Sequence, residues 1–340
     1  MKQLILKGVE NLGLNRLSRF WTRRCLLGLC YHGVVQNQSP PNDARTRIAV
    51  TVSQLEEQLR ELRKHWNPVS SQQIRDAIEK EIPLPDRAVH VSFDDGYSNN
   101  LLLAAPLLNR YEIPATLFVT TNFIETQNQL IWSLELHERL SVFSGTQLSL
   151  AGQLYSLDPP ETPKRTEQAL QLLQIAKSLP MADRETLLQF LRERTKPDLT
   201  PKWKRELYTF LSWDELRSLQ KKGIEIGAHT LSHPILSQLQ PQEIDRELRE
   251  SKNRLETELN KKCDLLAYPF GSENDFSDLV VNTARNIGFR LAFTLQEKRN
   301  NAQLDAMRIH RICIHRELSL ASFQALISGV RNALFQQQDS

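Results

Sequence analysis

The chain alternates short apolar runs with amphipathic stretches. Leu26–Val35 is an apolar run broken near its end by Tyr31-His32-Gly33, the pattern of a buried strand and its exit turn. In Thr51–Trp66, Leu55, Leu59 and Leu62 recur at helical spacing, and Ser53 with Glu56 predicts a capping box at the start of that helix. Ser70–Glu79 reads as a second short helix. Ala88–Phe93 reads as a strand that stops abruptly at Asp94-Asp95-Gly96. Asn100–Tyr111 is helical in pattern, and Ala115–Thr120 is the next strand after Ile113-Pro114. This strand–helix–strand alternation predicts parallel βα units.

Between Asn122 and about Thr209 the rhythm changes. Helical stretches such as Leu130–Ser141 and Thr166–Arg194 are interrupted by Pro159-Pro160, Pro163, Pro180 and Pro197. We read a mostly helical insertion over residues 122–209. The earlier rhythm then returns with Trp213–Lys222 (helix), Ile224–Ala228 (strand), Gln242–Asn260 (helix), Leu265–Tyr268 (strand) and Asp278–Ile287 (helix). Two further strands, Leu291–Thr294 and Arg311–Ile314, precede an amphipathic helix at Leu318–Phe335. The expected organisation is an N-terminal helical segment, residues 1–25, and a single α/β domain, residues 26–340, carrying the insertion.

Composition changes little in this picture. With 340 residues, 40% of them hydrophobic, the chain can bury a sizeable core without staples. A formal charge of +3 leaves no nucleic-acid footprint, so no nucleic-acid partner is expected. Cys25, Cys30, Cys263 and Cys313 form no CxxC pair. The last three, lying in or beside apolar runs, are expected as small buried hydrophobes in a reducing compartment. No signal peptide is read, and no run reaches the ~18 apolar residues needed to span a bilayer, so the expected localisation is cytoplasmic. Leu4–Leu27 mixes Leu, Phe and Trp with Lys and Arg at helical spacing; it suits a helix packed on the domain or a peripheral contact with a membrane surface.

Four constellations carry chemistry. Asp94 and Asp95 stand together at a strand exit, where two adjacent carboxylates repel each other unless a cation intervenes. Gly96 permits a sharp turn that lets both face one pocket. His229 and His233 are four residues apart, just after the Ile224–Ala228 strand, close enough to grip one cation. Two imidazoles and a carboxylate make a three-ligand set that leaves positions open for water and substrate, as catalytic metal sites do. Tyr268-Pro269-Phe270-Gly271 and Tyr31-His32-Gly33 follow two further strands and supply candidate pocket residues, namely His32, Tyr268 and Phe270, with Tyr97 beyond the carboxylates.

These residues resemble the polysaccharide deacetylase family, the NodB-homology group of carbohydrate esterases. Phe93-Asp94-Asp95-Gly96 resembles its first motif and His229-Thr230-Leu231-Ser232-His233-Pro234 its second. Tyr268-Pro269-Phe270-Gly271 resembles the third as found in a branch that also carries Tyr31-His32-Gly33-Val34; Trp213-Asp214-Glu215-Leu216 and Glu243–Glu256 match that branch too. The resemblance covers residues 26–120 and 208–316. It implies a distorted (β/α) barrel with fewer than eight complete units. It implies Asp95, His229 and His233 as ligands of a divalent metal, with zinc as the expected ion, although cobalt, nickel, manganese and iron fit the same donors. It implies Asp94 as the base that takes a proton from the attacking water, and hydrolysis of the N-acetyl amide of an amino sugar in a polysaccharide or lipid-linked glycan precursor. Deformylation, cleavage of another non-peptide amide, and an inactive carbohydrate-binding homologue are the alternatives.

Two departures from the family pattern matter. The position of an Arg that holds the catalytic Asp in many members is Ala267 here, and Arg308 or Arg311 is the candidate replacement. The general acid, often a His near the last strand, has candidates in His310 and His315, which strand alternation places on opposite faces, and in His32. The expected catalytic set is therefore Asp94, His310 and Arg311, with His32, Tyr97, Tyr268 and Phe270 as substrate contacts.

Overall fold

The computed structural model describes residues 23–38, 47–126 and 129–329. The expected N-terminal segment, apart from Arg23–Cys25, and the residues beyond Gly329 lie outside that description. The apolar runs become β1 (Leu27–Tyr31), β2 (Gly33–Val35), β3 (Ala49–Thr51), β4 (Asn67–Pro68), β5 (Ala88–Phe93), β6 (Ala115–Val119), β7 (Gln147–Leu150), β8 (Gln153–Ser156), β9 (Glu225–Ala228), β10 (Leu265–Ala267), β11 (Leu291–Phe293) and β12 (Ile312–Cys313). The helices are α1 (Val52–His65), α2 (Ser71–Glu79), α3 (Ala105–Arg110), α4 (Trp132–Val142), α5 (Pro163–Ser178), α6 (Met181–Arg194), α7 (Lys202–Tyr208), α8 (Trp213–Lys221), α9 (Pro241–Leu259), α10 (Asp278–Ile287) and α11 (Leu320–Ser328).

The main sheet is parallel throughout, with neighbours in the order β11-β10-β9-β6-β5-β1-β12 and with β4 paired to the early part of β5. The segment from Ala306 to Ile314 closes it. Its first half bonds to β11, with Ile309 N–H donating to Ala292 O and Thr294 N–H to Ile309 O, both 2.9 Å. Its second half pairs with β1 through Leu29↔Ile312 and Cys30↔Cys313. The result is a distorted barrel, as the family resemblance implies.

A period of two sorts the strand residues. Leu26, Ala88, Phe118, Leu265, Ala267, Leu291, Phe293 and Ile309 pack together inside the barrel. Their neighbours Leu27, Leu29, Val89, Val91, Leu117, Leu266, Ala292 and Ile312 form the larger core beneath the surrounding helices. The parity continues past the strand ends, so His32, Asp94, His229, Arg311, Cys313 and His315 share the interior phase.

Three local expectations are corrected. The capping box of α1 is built by Thr51 and Gln54 rather than by Ser53 and Glu56, because the helix begins two residues earlier, at Val52. The Thr166–Arg194 stretch is two helices, α5 and α6, divided at Leu179-Pro180. The insertion also holds an antiparallel hairpin, β7–β8, turned by Ala151 (φ 52°) and Gly152 (φ 75°); Ala-Gly lacks the Asn-Gly signature that usually announces two positive-φ residues. The insertion has its own apolar cluster, centred on Leu136, Leu140, Leu172, Leu188 and Leu191, separate from the barrel core. Among the described residues no helix is long and apolar enough to cross a membrane.

Candidate active site

Asp94 and Asp95 leave β5 in opposite backbone conformations. Asp94 keeps the interior phase of the strand. Asp95 adopts φ 74° and Gly96 φ 92°, which turn the chain so that both carboxyls reach the same pocket. A left-handed non-glycine residue costs free energy, and such residues persist where the surroundings impose them. The space explains Gly96 as well: a Cβ there would lie 3.0 Å from the Val119 side chain.

Asp94 is fully buried and held by a bidentate pair with Arg311, Nη1 to Oδ1 at 2.7 Å and Nη2 to Oδ2 at 2.8 Å. Arg311 is anchored in turn on Ser92 Oγ (2.9 Å) and Thr294 O (3.1 Å). The cation that Ala267 does not provide comes from the strand that closes the barrel. Burial alone would raise the Asp94 pKa, but the Arg311 guanidinium, helped by His229, holds the carboxyl well below its usual range. Arg308 points elsewhere, pairing with Asp305 and Asp278 at the surface.

The second motif forms a pinned loop. His229 accepts its place from strand β9, its N–H donating to Val119 O, and its Nδ1 meets Ala267 O at 2.8 Å. Nδ1–H must donate to that carbonyl, which leaves the Nε2 lone pair facing the carboxylates. Thr230 (φ 66°) and His233 (φ 61°) bend the loop back. Glu247 on α9 accepts from the N–H groups of Leu231 (2.9 Å) and Ser232 (3.0 Å) and from Ser232 Oγ (2.6 Å). Trp132, from the insertion, donates its Nε1–H to His233 O at 3.0 Å.

The donor atoms of Asp95, His229 and His233 all lie within 4.8 Å of one another. Asp95 Oδ1 stands 3.7 Å from His229 Nε2 and 3.5 Å from His233 Nε2, and it is buried with no hydrogen-bond partner. Ligands about 2.1 Å from one cation stand roughly 3.4 Å apart at tetrahedral angles, so the spacing and the orphaned oxygen both fit a bound divalent metal. Burial raises the Asp95 pKa against the pull of His32 and His229, and burial with the neighbouring imidazoles lowers that of His233, so the carboxylate needs an added charge while the imidazole stays a neutral ligand. The Tyr97 hydroxyl lies beside the Asp95 carboxyl and its ring stacks on Phe210, so this side chain is placed to steady a ligand.

The remaining expected residues divide. His32 enters the pocket next to Asp94, and Asp94 N–H donates to Tyr31 O (2.9 Å), tying the two strand exits together. Phe270 (φ 60°) packs against the His233 ring at 4.8 Å and against Trp132 at 5.6 Å. Tyr268, by contrast, has the helix-side parity: it is fully buried, stacks on Phe276 and donates its hydroxyl to Met307 O. His310 also has the outer parity and is hydrogen-bonded to Thr294 Oγ1, in a neighbourhood of Lys298, Asp305, Glu273 and Arg308. The structure therefore does not bring Tyr268 or His310 to the carboxylates. It does bring Cys30, expected as a small buried hydrophobe, alongside His32 and Asp94, and Cys313, expected likewise, alongside His32. Ser92, Thr294, Glu247 and Trp132 support the site and carry no local motif by which they stand out in the sequence. A cleft of about 1270 Å³ opens beside Ser232 and Trp132 and runs along the insertion past Phe123, Leu199 and Arg192.

Comparison with known proteins bears on the fold and the family. The family model described as polysaccharide deacetylase matches residues 81–178 and 183–292, more than half of the chain. The poly-beta-1,6-N-acetyl-D-glucosamine N-deacetylase of Escherichia coli K12 is 32% identical over 107 residues, which are 31% of this chain and 15% of that protein. The chain spans less than half the length of each curated relative it matches. Among solved structures, the Streptococcus pyogenes deacetylase PplD in complex with acetate aligns with a TM-score of 0.60 at 17% identity, covering 89% of this chain and 98% of that one. IcaB from Ammonifex degensii aligns with a TM-score of 0.57 at 18% identity, covering 90% and 97%. These two establish the fold, and the family model, spanning both the Asp94-Asp95 and the His229–His233 motifs, establishes the kinship: this chain belongs to the polysaccharide deacetylase family.

Proposed function

We propose that the chain hydrolyses the N-acetyl amide of an amino sugar within an N-acetylated glycan, using one divalent cation, zinc in the first instance, held by Asp95, His229 and His233. The observation that carries this reading is a carboxylate clamped in its charged form by Arg311 directly beside a separate three-donor set. When bound, the cation supplies Lewis acidity, polarising the acyl carbonyl and making water a stronger acid. Asp94, ionised through the neutral range, accepts the proton of the attacking water. Its bidentate contact with Arg311 fixes the carboxylate plane, so the accepting lone pair is aimed before substrate arrives. His32, on the same barrel face, protonates the leaving amine. The Tyr97 N–H, with no partner among the described residues, is placed to donate to the developing oxyanion. The long cleft beside Trp132 suits an extended saccharide, and the name of the E. coli relative supports an N-acetylglucosamine polymer over a single sugar.

The test is release of free amine together with acetate from β-1,6-linked and β-1,4-linked N-acetylglucosamine oligomers and a lipid-linked N-acetylated precursor, or with formate from N-formylated analogues. Each is run with zinc, with a chelator, and with Asp94→Asn. Release that requires the metal and is lost in Asp94→Asn supports the proposal and names the substrate class. Metal tightly bound with no acetate released from any of them would overturn it.

A further inference from the structure

Two thiols lie at the floor of this pocket, and the hydrolysis proposed above uses neither. Cys30 on β1 and Cys313 on β12 are register partners on adjacent parallel strands. Partnered residues of a parallel ladder project to the same face, here the barrel interior, and neighbouring strands run about 4.8 Å apart. That spacing falls within the ~4.4–6.8 Å between Cα atoms that a disulfide accepts. Cys30 Sγ lies within 4.8 Å of donor atoms of His32 and Asp94, so both thiols line the same pocket around His32. Cys313 Sγ lies 3.9 Å from His32 Nδ1, and His315, two residues further on, shares its interior phase. The surroundings are asymmetric: Cys30 is fully buried, whereas Cys313 is partly exposed.

The neighbouring Cys30 thiol, with the His32 imidazole beside it, favours the Cys313 thiolate against burial, and burial keeps Cys30 as a thiol. This is the division of labour between an attacking and a resolving cysteine. The geometry points to Cys30 and Cys313 as an oxidation site that takes a peroxide as its co-substrate and closes to a disulfide across the barrel seam. Cys313 sulfur attacks one peroxide oxygen, the O–O bond breaks, and the leaving hydroxide takes up a proton to become water, leaving a sulfenic acid on Cys313. Cys30 sulfur then attacks Cys313 sulfur; the S–S bond forms, the S–O bond breaks, and a second water departs with the thiol proton. Two thiols and one hydrogen peroxide give one disulfide and two waters, the sulfurs losing the two electrons that the O–O bond gains.

The disulfide draws Cys313 Sγ toward Cys30 and removes the group on which His32 Nδ1 leans. The oxidised protein is therefore slower in deacetylation until a dithiol restores it. This second consequence rests on the function proposed above; the disulfide itself does not.

The test treats the reduced, purified full chain with hydrogen peroxide in slight molar excess, blocks residual thiols by alkylation, and maps linked peptides by mass spectrometry. A Cys30–Cys313 linked peptide, reversed by dithiothreitol, is expected. In Cys30→Ser, a sulfenic acid trapped by dimedone is expected on Cys313. Both cysteines recovered as thiols, or Cys313 recovered as sulfinic acid beside an intact Cys30 thiol, would overturn the site; that readout in the native chain depends neither on a variant folding nor on any substrate. Deacetylation that falls at least tenfold with the linkage and recovers on reduction supports the coupling to His32, while equal turnover of the linked and reduced forms refutes it.

Discussion

Asp94 has to satisfy two opposed demands, being wholly removed from water and yet charged. Arg311 reconciles them, and the pair is the point at which single changes tell most. Arg311→Met leaves a buried carboxylate without its counter-ion and should cost about 3–5 kcal/mol in denaturant unfolding at neutral pH. The sign of its pH dependence follows from the depressed carboxyl: the stabilisation is present above 3.8, the ordinary value, and is lost as pH falls through the lower folded value, so wild type and variant converge in acid. Asp94→Asn keeps the shape and removes the proton acceptor; turnover should drop about 10²–10⁴-fold with metal content unchanged, as read by elemental analysis beside the assay. His32 behaves in the opposite sense. Burial lowers its pKa, but Cys313, Asp95 and Asp94 more than offset this and raise it from 6.5 to about 9. Its contribution to metal-free stability is thus complete below 6.5 and lost as pH rises through about 9, so thermal stability over that range should fall more steeply in wild type than in His32→Gln. Asp94, Asp95, His229 and His233 were legible because their chemistry is unusual at a strand exit. Arg311 was legible only as one of two candidates, since sequence does not say which of two nearby arginines faces inward.

Strands and loops show where that limit comes from. Ala88–Phe93 and Asp278–Ile287 were predicted to the residue, because their apolar periodicity is bounded by an abrupt change of residue type. Parity was the stronger guide: it separates His310 from His315, and it places Tyr268 beneath α10 even though the Tyr-Pro-Phe-Gly motif invites a pocket role. Phase at a strand's end is decided by its neighbours, and only Phe293↔Ile309 and Leu29↔Ile312 pairing fixes it for the closing segment. The metal loop shows the same dependence on distant partners. Its two central N–H groups end on Glu247, a residue on a helix that follows it in the chain. Glu247→Ala should leave the His229–His233 turn intact in sequence but loose in space, lowering metal affinity about 10–100-fold in a chelator competition, while Glu243→Ala, at the exposed start of the same helix, should leave it unchanged.

At the level of the whole molecule, apolar packing divides the work in two: the clusters inside and outside the strand ring carry the barrel, and a separate core carries the insertion that walls the cleft. Leu188→Ala, within the second core, should cost about 2–5 kcal/mol locally and raise hydrogen exchange across α5 and α6 while β1, β5 and β9 stay protected. The closing seam has a consequence of another kind. β1 and β12 are hydrogen-bonded neighbours, and α11 returns the chain from the top of β12 until Arg299 meets Ile327 O, next to the Asn300 that bonds Leu26. The last described helix therefore ends close to where the first strand begins. A chain linked at that point and opened in an exposed loop elsewhere would retain every ladder of the ring and every residue of the site, with His32 and Arg311 simply changing places in reading order. Within the described residues the ring does not depend on the order in which its segments are read, and circular permutation is the rearrangement it should tolerate.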